Sequence, residues 1–411
     1  MITRRVFLRN HALTIIGTSV VPAFLRRAAF GATEGGVRGR RLVVIFQRGA
    51  ADGLNIVVPH GEAAYYAMRP SIHIPRNAVL DLDGFFGLHP ALSPLYPMWK
   101  DKHLAIVHAA GSPDPTRSHF DAQDFMESGT PGLKATEDGW LNRTIHSLPA
   151  SNSAFRAVAM GATLPRILSG PQRALAISNL NDFGVGGRSP QATPLENSFE
   201  AMYAGSVDAI LQGSARETFD AVKILKAANP EQYSPAPAAN YPRGRFGESL
   251  KQLAQLIKAN VGVEVAFADI GGWDHHVNEG GTEGQIANVL REFSQSLAAL
   301  WIDLGNLAED TVVITMSEFG RTAKENGNRG TDHGHANAMF VLGGPVRGGK
   351  VYGRWPGLDA SQLYEGRDLA LTTDFRTVVG EAVYRQLGNK DLMRVFPGFD
   401  GRPEKFLGLI A

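Results

Sequence analysis

Short apolar runs recur along this chain, each closed by glycine, proline or charge, and longer stretches between them repeat apolar residues at helical spacing. Residues 41–47 (RLVVIFQ) are rich in β-formers and run into Gly49, which predicts a first core strand. Leu92, Leu95 and Trp99 fall on one helical face, so a helix is expected over 90–100. The run LAIVHA at 104–109 predicts a second buried strand, ended by Gly111-Ser112-Pro113. A helix opening at Ser118 is expected over 118–128. Residues 130–190, rich in Gly, Pro and Ser, predict insertions over the sheet edge. A helix follows over 195–228. Pro230, Pro235, Pro237 and Pro242 then make 229–247 a loop within the domain. A helix over 248–260, a strand over 263–270, a helix over 284–304 and strands over 312–316 and 339–342 complete the series. Strand and helix in alternation predict an α/β fold, a mostly parallel central sheet with helices on both faces. No internal repeat divides it, so one domain is expected from about residue 38 to 411.

The first 32 residues read differently. Arg4, Arg5 and Arg9 precede an uncharged apolar run over 12–25, and small residues follow at Ala28, Ala29, Gly31 and Ala32. A basic start, an apolar middle and a small-residue exit make a secretory signal. Paired arginines followed by Phe7-Leu8 resemble the twin-arginine signal, an address read by a receptor. At 14 residues, with Gly17 and Pro22 inside, the run is shorter than a membrane-spanning helix. Cleavage near Ala32, recognition by the twin-arginine export machinery and a periplasmic or secreted location are therefore expected, with no membrane span in the mature chain.

Composition narrows the chemistry. The chain has no cysteine, which excludes disulfides, thiolate metal sites and a cysteine nucleophile. Net charge is +1, and removing the five arginines of the signal takes it to −4. A mildly acidic mature chain lacks the basic footprint of nucleic-acid binding.

Ionisable residues gather just after the predicted strands. Asp52 follows the first, and Thr116-Arg117-Ser118-His119 follow the second. Asp274-His275-His276 follow the third, Glu318 and Arg321 the fourth, and Asp332-His333-Gly334-His335 precede the fifth. In open α/β sheets the ligand crevice lies outside the carboxyl ends of the strands. Carboxylates and imidazoles without thiolate suit a divalent metal, zinc or manganese foremost. Asp52-Gly53 alone is commonly just a turn, and Glu318 with Arg321 reads equally as an ion pair. Ser118 is the candidate nucleophile, with Thr116 as the alternative; as a helix opener Ser118 also reads as a simple cap. Arg117 or Arg321 would hold ester oxygens. His119 could be ligand, acid or neither. His60, His73, His103 and His146 read as surface or structural residues.

The twin-arginine start, RGAADGLNIVVP at 48–59, PTRSHFDAQDFMESG at 115–129, GGWDHH at 271–276 and SEFGRT with GTDHGHA over 317–336 resemble the exported bacterial family known as domain of unknown function 1501. That family is in turn similar to the alkaline phosphatase and sulfatase superfamily. The second resemblance implies an alkaline phosphatase-like fold, a metal-binding Asp52, a nucleophile at Ser118, and Asp274 with His275 or His276 as ligands. It further implies an acid ligand at Glu318 and a last imidazole at His333 or His335. Two positions depart from the superfamily pattern: Asn278 stands four places after Asp274, and Phe319 directly follows Glu318.

The expected function is an exported metal-dependent hydrolase acting on phosphate or sulfate esters, with an anionic small-molecule, lipid or glycan ester as substrate. The alternatives are a non-catalytic periplasmic binding partner that keeps part of the site, and a metal-dependent transferase of charged head groups.

Overall fold

A computed structural model describes residues 39–134, 136–151, 153–180 and 233–411. The expected export signal and the helix expected over 195–228 lie outside these residues. Residues Gly39–Ala411 form one compact unit. Its strands in chain order are β1 (Arg41–Gln47), β2 (Val57–Val58), β3 (Leu80–Asp81), β4 (Gly87–Leu88), β5 (Leu104–Gly111) and β6 (Ala157–Ala159), then β7 (Leu175–Ala176), β8 (Val265–Ile270), β9 (Thr311–Met316), β10 (Asn337–Gly343), β11 (Lys350–Tyr352) and β12 (Thr373–Asp374).

The main sheet runs β11-β5-β10-β9-β1-β8-β6-β7, with β12 beside β5. Strand β1 is parallel to β8 and β9, β6 is parallel to β7 and β8, and β11 and β12 are parallel to β5. Among the described residues of this sheet only β10 runs the other way, antiparallel to both β5 and β9. This is the α/β fold with a mostly parallel sheet that the alternation predicts. A small second sheet, β2-β4-β3, stands apart.

Every residue of β1 is buried because both faces of the sheet are covered. Val43 and Ile45 share a core with Leu250, Leu253, Phe293 and Leu297, from the helices Arg245–Lys258 and Gln285–Leu304. Leu42, Val44 and Phe46, pointing the opposite way, share a second core with Trp140, Val379 and Val383, from the helices Trp140–His146 and Phe375–Arg385. The period-2 alternation of a strand divides its side chains between the two cores.

Residues 130–180 depart from expectation. They supply the helix Trp140–His146 and strands β6 and β7, which extend the sheet beyond β8. Strands of three and two residues are too short for an alternation to be read. Among the described residues no helix is long and apolar enough to cross a membrane.

The topology places the site. The carboxyl ends of β1, β5, β8 and β9 share one rim, and the antiparallel β10 brings its amino end to that rim. Segments 48–52, 112–119, 271–276, 317–321 and 331–336 therefore meet there.

Candidate metal centre at the carboxyl rim of the sheet

Each loop at the rim is pinned locally. Ser118 caps the helix His119–Ser128, its Oγ accepting from the Asp121 amide at 3.4 Å, which aims His119 out of the first turn. The indole of Trp273 is buried against Phe293 and donates to the Ile270 carbonyl at 3.0 Å, fixing the exit from β8 just before Asp274. At the exit from β1, Gly49 has φ +115°, and a Cβ there would lie 2.9 Å from the Asp274 amide nitrogen. Only glycine lets these two loops approach so closely.

Three imidazoles and one carboxylate converge in this frame. His119 Nε2 lies 3.0 Å from His333 Nε2, and His276 Nε2 lies 3.0 Å from the same atom. Asp274 reaches His276 Nε2 at 3.0 Å, His333 Nε2 at 3.4 Å and His119 Nε2 at 3.6 Å. One ligand atom each from His119, Asp274 and His333 fall within 4.8 Å of one another.

The opposite ring nitrogens decide what this convergence can do. His119 Nδ1 is 2.8 Å from the Glu318 carboxylate, His276 Nδ1 is 3.0 Å from Asp332, and His333 Nδ1 is 2.9 Å from the Arg117 carbonyl. All three partners are acceptors, so a hydrogen on each Nδ1 satisfies them, and in that tautomer each neutral ring presents a lone pair at Nε2. Facing lone pairs repel unless a proton or a cation lies between them. Rings oriented in this way by carboxylates and carbonyls are the supporting pattern of metal-binding histidines. The donor set, three imidazoles and a carboxylate, suits zinc or manganese, so the residues present fit the expected ion.

The surrounding charges reinforce the arrangement. The hydrogen bond from His119 to Glu318 raises the imidazole's pKa, against the effect of partial burial. Burial lowers His333. Burial would raise the fully buried Glu318, but hydrogen bonds from His119, Gln123 and the Gly49 amide hold it below the ordinary carboxylate range. Partial burial opposes ionisation of Asp274 too, and the Arg321 guanidinium, 2.6 Å away, lowers it overall.

The other expected residues take different places. Asp52 is buried and gripped by both terminal nitrogens of Arg69, with Nη2 to Oδ1 at 3.0 Å, so its carboxylate is engaged away from the centre. Glu318 is not among the converging atoms either; its Oε1 lies 2.8 Å from His119 Nδ1. The ring of His275 is buried and lowered in pKa by burial and by Arg321; its backbone carbonyl accepts from Thr331. His335 stacks on Tyr364 with ring centroids 4.4 Å apart. Arg117 pairs with Glu365 and Asp368, each at 2.7 Å. Arg321 is buried, with Nε and Nη2 on Thr331 and Nη1 on Asp274. Thr116 Oγ1 accepts from the Ser118 amide at 3.2 Å. His60 pairs with Asp81, His73 with the Arg69 carbonyl and His146 with Gln172, while His103 packs on Trp301.

His119 is the converging imidazole whose part sequence reasoning left open, because a histidine inside a helix cap gives no sign of which way it points. Asp332 was noted in the group Asp332-His333-Gly334-His335, but its contact with His276 Nδ1, 56 residues away in the chain, was not legible.

The family of unknown function named DUF1501 matches residues 99–393. The chain belongs to it. No curated protein matches this DUF1501 chain in sequence. Among solved structures it is similar to the C-terminal periplasmic domain of EptC from Escherichia coli in complex with zinc, at 11% identity and TM-score 0.34, covering 74% of this chain and 72% of that one. The sulfatase PsFucS1 from Pseudoalteromonas sp. is similar at 12% identity and TM-score 0.39, covering 93% and 71%. The phosphonate monoester hydrolase of Agrobacterium radiobacter is similar at 10% identity and TM-score 0.39, covering 89% and 79%. Identities this low carry no residue roles across, so each role rests on this chain's own geometry.

Proposed function

We propose that this chain is an exported metal-dependent hydrolase acting on phosphate or sulfate esters. The observation that carries the reading is the convergence of three imidazole Nε2 atoms and the Asp274 carboxylate, with every Nδ1 tied to an acceptor. His119, His276, His333 and Asp274 would hold one divalent ion, zinc or manganese. When bound, the ion would supply Lewis acidity toward an ester oxygen.

The chain's own residues do the rest. Glu318, Asp332 and the Arg117 carbonyl orient the rings, and Arg321 orients Asp274. The Ser118 hydroxyl uses a lone pair as a cap and keeps its hydrogen, so it remains the candidate nucleophile, one residue before His119. The Arg117 guanidinium is partly exposed and stands ready for ester oxygens once it leaves Glu365. The arginine pair and apolar run at the start of the sequence support twin-arginine export of the folded, metal-loaded chain.

The test joins elemental analysis of the purified chain with assays of aryl phosphate and aryl sulfate esters, before and after Ser118→Ala. Metal-dependent turnover lost on substitution supports the reading, and turnover unchanged by it removes Ser118 from the mechanism. One observation favours a non-catalytic binding role instead: Arg117 and Arg321 both point their guanidinium groups at the chain's own carboxylates. Bound metal without turnover of any ester would select that role.

A further inference from the structure

Behind Asp274 the rim is backed by a buried run of hydrogen bonds. Thr331 is fully buried, and its hydroxyl works in both directions: it accepts from Arg321 Nε at 3.1 Å and donates to Glu279 Oε2 at 2.7 Å. The Thr331 carbonyl accepts from Arg321 Nη2, and its amide donates to the His275 carbonyl at 3.0 Å. One residue therefore holds Arg321 at two points and the Asp274–His276 loop at a third. Arg321 Nη1 then delivers the contact to Asp274 Oδ1 at 2.6 Å. Glu279, itself fully buried, ends the run next to the Asp52–Arg69 ion pair.

We infer that Thr331 and Glu279 are positioning residues for the metal centre, setting the place of Asp274 through Arg321. The inference rests on the reading of His119, His276, His333 and Asp274 as ligands. Its physical basis is the two-way demand on the Thr331 oxygen. A guanidinium only donates and the Glu279 Oε2 accepts here, so the residue between them must accept and donate at once, as a hydroxyl can. Valine matches threonine in shape and can do neither. Serine can do both. At position 279 glutamine keeps an acceptor for the hydroxyl, whereas leucine removes it. Leucine also removes a buried acid, so the Glu279→Leu chain has no new charge to bury and is expected to fold.

The experiment is a zinc titration of the purified full chain against a chelating indicator, with thermal unfolding followed in parallel. Thr331→Val and Glu279→Leu are expected to weaken zinc binding by about 10- to 100-fold, the range seen when groups behind metal ligands are removed. Thr331→Ser and Glu279→Gln are expected to stay within about threefold of the starting chain, well short of that range. Should Thr331→Val unfold, the Glu279→Leu and Glu279→Gln pair decides alone. Equal zinc affinity in that pair, or in folded Thr331→Val and the unsubstituted chain, overturns the positioning role while leaving the metal centre standing. An unsubstituted chain that binds no zinc overturns both.

Discussion

His119 and His333 face each other through their Nε2 atoms at 3.0 Å, and each has its other ring nitrogen tied to an acceptor. With the hydrogens on Nδ1 neither neutral ring can donate to the other, and an added proton or a cation between them relieves the contact. Metal and proton then compete for the same lone pairs. Zinc affinity is expected to fall as pH drops through the imidazole range, around 6.5, and zinc binding to release protons. Calorimetric titration at pH 8 and pH 5.5, in buffers of differing ionisation enthalpy, measures both effects.

Glu318 extends this relationship inward. It is fully buried and accepts from His119, Gln123 and the Gly49 amide. All three meet on Oε1, so Glu318→Gln keeps that acceptor but removes the negative charge behind His119 and puts an NH2 where Oε2 accepts from Ser317 Oγ, a hydroxyl already bonded to the Gln47 carbonyl and the Ala51 amide. Zinc affinity is expected to drop about 10- to 100-fold. Stability is expected to fall by about 1–3 kcal/mol, the cost of leaving a buried donor unmatched. Zinc titration and urea unfolding of the same variant separate the two effects.

Gly49 tests the close packing of the rim. Gly49→Ala places a methyl at φ +115° and 2.9 Å from the Asp274 amide. The backbone cost is about 1–3 kcal/mol. The methyl also pushes on the loop that carries Asp274 and His276, so the unfolding midpoint and the zinc affinity are expected to fall together. A loss of stability with unchanged zinc affinity would show that the loop yields without moving its ligands.

A different histidine is expected to contribute to acid stability. His108 is buried in β5, with Nε2 donating to the Val57 carbonyl at 2.9 Å and Nδ1 accepting from the Ala109 amide at 2.9 Å. Both nitrogens are satisfied only in the neutral form, and burial lowers the pKa from 6.5 to about 4. A histidine depressed in the folded state takes up its proton more readily when unfolded, so its contribution is present above pH 6.5 and is lost as pH falls toward 4. That contribution is about 3 kcal/mol for a shift of this size. His108→Gln is expected to be less stable at pH 7.5 and to lose less stability between pH 6.5 and 4. Urea unfolding of both chains across that range checks the difference in slope.

Much of the sheet was legible because β1, β5, β8, β9 and β10 are apolar runs with clear stops. Strands β6 and β7 were not, since AVA and LA carry no readable period. The rim was legible as a place, for residues 274, 276 and 333 follow or precede strands that end there. The division of labour was not. Asp52 and Asp274 look alike in sequence, yet Arg69 engages the first and the imidazoles surround the second. What separates them is a contact across 17 residues, from an arginine in a segment with no other sign of function. Glu318 likewise reads as a ligand in sequence, and nothing in the chain there tells that its carboxylate lies against His119 Nδ1, 199 residues away.

Metal content and its dependence on four residues test the central claim most directly. The full chain, purified without chelator and analysed for zinc and manganese, is expected to hold one ion per chain, because the Asp52 and Glu318 carboxylates are engaged elsewhere. His119→Ala, His333→Ala and Asp274→Ala are each expected to lose it, with His276→Ala weakening it. A metal-free chain that takes up neither ion, or an ion retained in full by folded His119→Ala and His333→Ala, would contradict the account.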